Sequence, residues 1–185
     1  MTHDRSERPQ PPLSERERDR FNESVLPYLD AAYNLARHLL RDGHEAEDAV
    51  QESFVRAIRH FGGFRGVDGR AWLLTIVRNA CFTQLRRRRG DEKVEFDEEL
   101  HTAADDASGP EADLSRTIAA ESVREGLDQL SAEFREVVVL RELEGLSYKE
   151  IAQIAGVPIG TVMSRLARAR RQLMLALGAP VKGDE

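Results

Sequence analysis

At 185 residues the chain is long enough for one ordinary domain or two small ones. It is 41% hydrophobic, 32% charged and 6% aromatic, with a formal net charge of −6. Spread evenly, that acidic excess would exclude nucleic acid, because phosphate binding needs Lys and Arg. A lone cysteine, Cys81, excludes a disulfide framework and a Cys-rich zinc site, and the five histidines share no metal-ligand spacing. No cofactor or metal is therefore expected. With no apolar h-region and no apolar run near 18–20 residues, the sequence predicts a soluble cytoplasmic protein.

Residues 1–20 balance five acids against five bases around three prolines and one leucine, and predict a disordered arm. Leu26, Leu29, Ala32, Tyr33, Ala36, Leu39 and Leu40 then recur at helical spacing. Asp42-Gly43 breaks that helix, and a second opens near His44 with Glu45, Glu47 and Asp48 in its first turn. Its apolar face is Val50, Phe54, Ala57 and Phe61. The stretch 61–70, FGGFRGVDGR, predicts a loop by its four glycines. A third helix is expected from about Ala71 to Arg89. Residues 91–113, with ten acids and one lysine, read as an extended acidic linker. Periodicity returns from Leu114, giving one helix over about 114–130. Ser131 N-caps the next, which ends at Gly145. Ser147 and Glu150 form a capping box for a short helix closed by Gly156, and a last helix follows Pro158. No strand is expected, so the fold class is all-α. Two small helical domains, 21–90 and 114–178, are joined by the linker and followed by a tail, 179–185. Each core would be marginal alone.

Segment by segment, the acidic average dissolves. Residues 21–90 carry a net +3, the linker −9, and residues 1–20 and 114–185 zero. Residues 65–89 hold seven arginines against Asp68, ending in Arg86, Arg87, Arg88 and Arg89. In 158–175, Arg165, Arg168, Arg170 and Arg171 meet no acid. One arginine run is commonly a solvated face. Two such runs, one per domain, favour an anionic ligand.

The sharpest local pattern is 147–173, SYKEIAQIAGVPIGTVMSRLARARRQL. Ala152 lets two helices cross closely, Gly156 makes the turn, and Ile151, Val157, Val162 and Leu166 lock the pair. Thr161, Ser164, Arg165 and Arg168 then fall outward on the second helix, and Arg171 follows one turn on. That is the geometry of a helix-turn-helix, whose second helix reads the major groove. A plain helical hairpin is the bland alternative.

With these motifs in this order, over about 21–175, the chain resembles the extracytoplasmic-function sigma factors, group IV of the sigma-70 family of RNA polymerase sigma factors. AEDAVQESFVRAIRHF (46–61) is similar to the core-polymerase-binding segment, FRGVDGRAWLLTIVRNACFTQLRRRR (64–89) to the minus-ten reading and melting segment, and 130–173 to region 4. The resemblance implies a transcription initiation factor, not an enzyme. Its partners would be core RNA polymerase (the β′ clamp helices and β subunit), promoter DNA and an anti-sigma factor, with no membrane insertion. It implies four helices in the first domain if the chain kinks at Pro27. It places Asp48, Gln51 and Glu52 against the clamp. Phe64, Arg65, Arg78, Asn79, Arg86, Arg87, Arg88 and Arg89 would lie at the minus-ten element. Thr161, Ser164, Arg165, Arg168 and Arg171 would lie at the minus-thirty-five element. Phe64 fits either a base stack or a core anchor. Thr83 and Met163 replace an Asp and a Lys that many members carry. The linker would thread the polymerase cleft as an RNA mimic, or merely solubilise. Cys81 is a redox sensor or simply buried. The alternative function is a stand-alone helix-turn-helix regulator.

Overall fold

The computed structural model describes residues 13–66, 68–91 and 122–177. The acidic linker beyond Asp91, the start of the helix expected at 114, residues 1–12 and the tail lie outside these. Every regular element among the described residues is helical.

The first helix, α1 (Glu15–Ser24), begins inside the stretch expected to be disordered. Its start is a capping box that composition conceals: Ser14 Oγ accepts from Glu17 N–H while the Glu17 carboxylate accepts from Ser14 N–H. Burial supplies the rest. Phe21 packs edge-on against Phe54 and Phe61, at 6.3 and 5.2 Å between ring centroids. Pro27 then forces a 3₁₀ turn, Leu26–Tyr28, before α2 (Leu29–Leu40). The kink leaves Leu26 and Leu29 half exposed, off the stripe to which their spacing assigned them. Arg41, at φ 64°, closes α2 in the left-handed region. Asp42 caps α3 (Gly43–His60) by accepting from Glu45 N–H. After a 3₁₀ turn at Phe61–Gly63, Asp68 accepts from Ala71 N–H at the start of α4 (Gly69–Asp91). These four helices share one core, in which Leu35, Leu39, Phe61, Leu73, Leu74 and Val77 are almost wholly buried.

The second half starts in a helix, α5, described over residues 122–128. Ser131 caps α6 (Ala132–Val138) as its sequence predicts, accepting from Phe134 N–H. Val137, Val138 and Val139 are buried within helix despite their β propensity, because that face meets α8. The helix widens into a π turn over Val139–Leu143 and stops at Gly145, φ 67°. Arg141 holds the exit, donating to Leu146 C=O at 2.8 Å with its guanidinium over the Tyr148 ring. Ser147 and Glu150 form the expected capping box of α7 (Tyr148–Ala155). Gly156, φ 66°, turns the chain into α8 (Ile159–Ala176). Val162, Leu166 and Ala169 point inward, so α7 and α8 form the anticipated helix-turn-helix.

The two halves are not separate beads. α4 packs on α7 and α2 on α6, and one continuous apolar cluster runs through both. This is how two marginal cores support each other, through an interface that periodicity within either half does not encode.

Candidate nucleic-acid interface

On α3, Asp48, Gln51 and Glu52 are all exposed. Glu52 pairs with Arg56 one turn on at 2.5 Å, a solvent-facing contact worth little. The same face continues through Val55 and Ile58, 47% and 44% exposed. Val55 lies four residues after Gln51 and Ile58 three after Val55, and that helical spacing was the signal for these two extra residues. A polar ridge ending in an exposed apolar pair is suited to a partner helix.

The loop after α3 behaves differently. Phe64 is buried between Phe61 and Trp72, 5.6 and 4.7 Å away by ring centroid. In this conformation it is a core anchor, as one of its two sequence readings had it. Arg65 beside it is exposed. Along α4, Asn79 is exposed and its Oδ1 accepts from Arg78 Nη1 at 3.3 Å. Thr83 donates to Asn79 C=O and accepts from Arg86, so a small polar network exists without the Asp of many relatives. Arg86 and Arg87 are exposed, and Arg88 pairs with Glu45. The Arg89 side chain lies outside what is described.

On α8, Ser164, Arg168 and Arg171 are exposed and Thr161 half-buried. Met163, 53% exposed, sits among them. Arg170 is engaged by Glu142 at 2.6 Å, and that hydrogen bond raises its already high pKa. Arg165 is half-buried, and its Nη1 has no hydrogen-bond partner among the described residues.

Where the halves meet, charge is buried. Arg78 donates through Nε to Glu136 Oε1 at 2.7 Å, and Glu136 is fully buried on α6. Burial pushes the Glu136 carboxyl up, opposed by Arg78 and more weakly by Arg165. Arg70 donates to both the carboxylate and the carbonyl of Glu144, each at 2.7 Å, and Asn34 donates to the same carboxylate. Arg135, 3% exposed, donates to the C=O groups of Leu127, Asp128 and Leu130 and across to His38 and Leu39. One guanidinium thus caps the C-terminal ends of α2 and α5 together. Burial pushes its pKa down to about 10, still charged at neutral pH. Arg70, Arg135, Glu136 and Glu144 were not anticipated. The available signal was Arg135-Glu136 itself, a charged pair set between Phe134 and Val137 in an otherwise apolar run. Cys81 is buried and its thiol is pushed up to about 12, which leaves it unreactive and disfavours redox sensing.

These two arginine-faced halves match known families in the same order. Residues 25–90 match Sigma-70 region 2 and residues 120–173 match Sigma-70, region 4. The RNA polymerase sigma-H factor of Pseudomonas aeruginosa is 37% identical over 166 residues, covering 85% of this chain and 86% of that protein. The ECF RNA polymerase sigma factor SigE of Mycolicibacterium smegmatis is 36% identical over 154 residues; the match spans 83% of this chain and 60% of that relative's length. Among solved structures, the sigma factor RpoE from Bartonella quintana, in complex with the anti-sigma factor NepR, superposes with a TM-score of 0.70 at 30% identity. It covers 88% of this chain and 99% of that one. The chain belongs to the sigma-70 family of transcription initiation factors, in its extracytoplasmic-function group.

Proposed function

We propose that this chain binds core RNA polymerase through the α3 face around Asp48, Gln51 and Glu52 and directs it to promoters. The observation that carries the reading is the ordered pair of region 2 and region 4 matches, each falling on an arginine-faced helix. α8 would enter the major groove of the minus-thirty-five element, with Thr161, Ser164, Arg165 and Arg168 toward base edges and Arg171 toward phosphate. The exposed Asn79 would read a base of the melted minus-ten strand, with Arg65, Arg78 and Arg86–Arg89 holding its phosphates. Capturing that single strand supplies part of the free energy of melting. The protein would act in the cytoplasm and add no catalytic chemistry, because phosphodiester synthesis belongs to the polymerase. The RpoE relative is held by an anti-sigma factor, which supports the same class of partner here. A stand-alone regulator is disfavoured, because such a protein has no use for a region 2.

Transcription with purified core polymerase on a promoter library tests the reading. Core-dependent initiation is expected, and its absence would overturn it. The −9 linker would enter the basic RNA path of the polymerase. Neutralising Asp91, Glu92, Glu95, Asp97, Glu98 and Glu99 should then change the ratio of abortive to full-length RNA. An unchanged ratio would leave the linker a spacer.

A further inference from the structure

Every fourth residue of a helix lies on one ridge along its surface. On α8, the helix assigned above to the major groove, one such ridge is Ile159, Met163 and Ala167. The ridge beside it is Gly160, Ser164 and Arg168. Val162, Leu166 and Ala169 are the side packed against the rest of the fold. Ile159 and Met163 are 46% and 53% exposed, and Ala167 is exposed as well. The first ridge is thus apolar and open to solvent for about two turns before it ends in Arg171.

Single exposed apolar side chains are ordinary on any protein surface. A row of three on the reading helix of a helix-turn-helix is different, because it can hold neither a phosphate nor a polar base edge. Charge is left to Arg168 and Arg171, farther along the helix. The major groove offers one apolar group, the C5-methyl of thymine. Met163 suits it, since an unbranched, polarizable thioether adapts to an irregular surface. Gly160, in the adjoining ridge, has no side chain to hold the backbone off the groove floor, and a Cβ there would meet nothing within 4 Å. Ser164, next to Met163, donates its proton to Thr161 C=O at 3.0 Å and so meets DNA as an acceptor. Acceptors in the groove pair with the amines of adenine and cytosine, and adenine brings a thymine with it. An apolar row beside an acceptor therefore matches an A·T pair, which presents a methyl and an amine together.

We propose that Met163, backed by Ile159 and Ala167 on the same ridge, reads a thymine methyl in the minus-thirty-five element. This inference rests on the promoter-binding reading above and adds a base preference to it.

The test uses holoenzyme assembled from the full chain and core polymerase. Selection from duplexes randomised over the upstream element fixes the preferred sequence. Each thymine in it is then replaced by uracil, which removes only the methyl. At one position the wild type should lose about fourfold in affinity, the effect of exposing one methyl at about 0.8 kcal/mol. Met163→Ala should bind the thymine duplex about as weakly as wild type binds the uracil one, and lose nothing further on the change to uracil. Met163→Leu should keep the dependence. Met174→Ala, at an exposed site farther along the same helix, should match wild type. A preferred element with no thymine on either strand, no uracil effect in the wild type, or an equal effect in Met163→Ala would overturn the proposal. So would a Met163→Ala chain that assembles poorly with core polymerase yet keeps the uracil effect, since the ridge would then face protein. If selection returns no preferred upstream sequence, the promoter reading fails and the thymine contact with it. A preferred sequence without a methyl effect leaves the promoter reading standing and removes the thymine contact alone.

Discussion

Arg135 makes the most demanding stability prediction in the molecule. Replacing it with Met keeps the stem's packing and removes the guanidinium. Replacing a buried ion pair by an apolar residue is often neutral, because both charges go. Here the acceptors are backbone carbonyls, which no substitution at 135 can remove. Three of the five contacts are short: Leu130 C=O at 2.7 Å, Leu127 C=O at 2.8 Å and His38 C=O at 2.9 Å. Assigning about 1–1.5 kcal/mol to each gives a loss of about 3–4 kcal/mol. The low end of that range is appropriate because the charge itself was buried at a cost, visible in its pKa of about 10. For a chain of this size the loss lowers the melting temperature by about 6–16 °C. Calorimetry of the purified chain is the assay. Arg135→Lys should recover only a minor part, because one ammonium cannot span two helix ends. A Met variant melting within about 2 °C of wild type would show that water already satisfies these carbonyls and would refute the reasoning.

Three further outcomes follow from particular contacts. At Gly69 a Cβ would lie 1.9 Å from the Ser24 carbonyl oxygen, so Gly69→Ala must push α1 from α4, at a cost of about 3 kcal/mol or more. Gly156→Ala meets open space and bears only the positive-φ strain, about 1–2 kcal/mol, so thermal melts should rank the two in that order. His38 is held below its ordinary 6.5, first by burial and then by Arg135, with Arg37 and Arg124 adding to the depression and Asp128 opposing it. On acidification the unfolded chain takes the proton first, so stability is full above pH 6.5 and falls below it, by at most about 1.4 kcal/mol per pH unit. Urea melts between pH 8 and 5.5 should show that slope, and His38→Gln should remove it; equal slopes would exclude His38 as the cause. Arg165→Ala should lose about 1–3 kcal/mol of duplex affinity and relax preference at one base pair. A uniform loss across sequences in the same binding assay would make it a phosphate contact instead.

The helices themselves were legible in the sequence, because their causes are local. Ser131, Ser147, Glu150 and Gly156 act within a few residues of where they stand, and the 3.6-residue period of Val162, Leu166 and Ala169 states which face goes inward. The helix-turn-helix and the division of charge between two arginine faces and one acidic stretch were legible for the same reason. Where local evidence failed, a distant partner was responsible. The arm expected to be disordered forms α1 because Phe21 finds Phe54 and Phe61 far along the chain. Phe64 is a core anchor because Trp72 and Phe61 close over it. The docking of the halves was invisible, since Arg78 and Glu136 are 58 residues apart and nothing in either neighbourhood names the other. Sequence alone determined where the arginine-rich, acidic and apolar stretches lie along the chain. Only the tertiary structure decided that two of those stretches are bound to each other, because burying a charge is tolerable only where folding brings its partner.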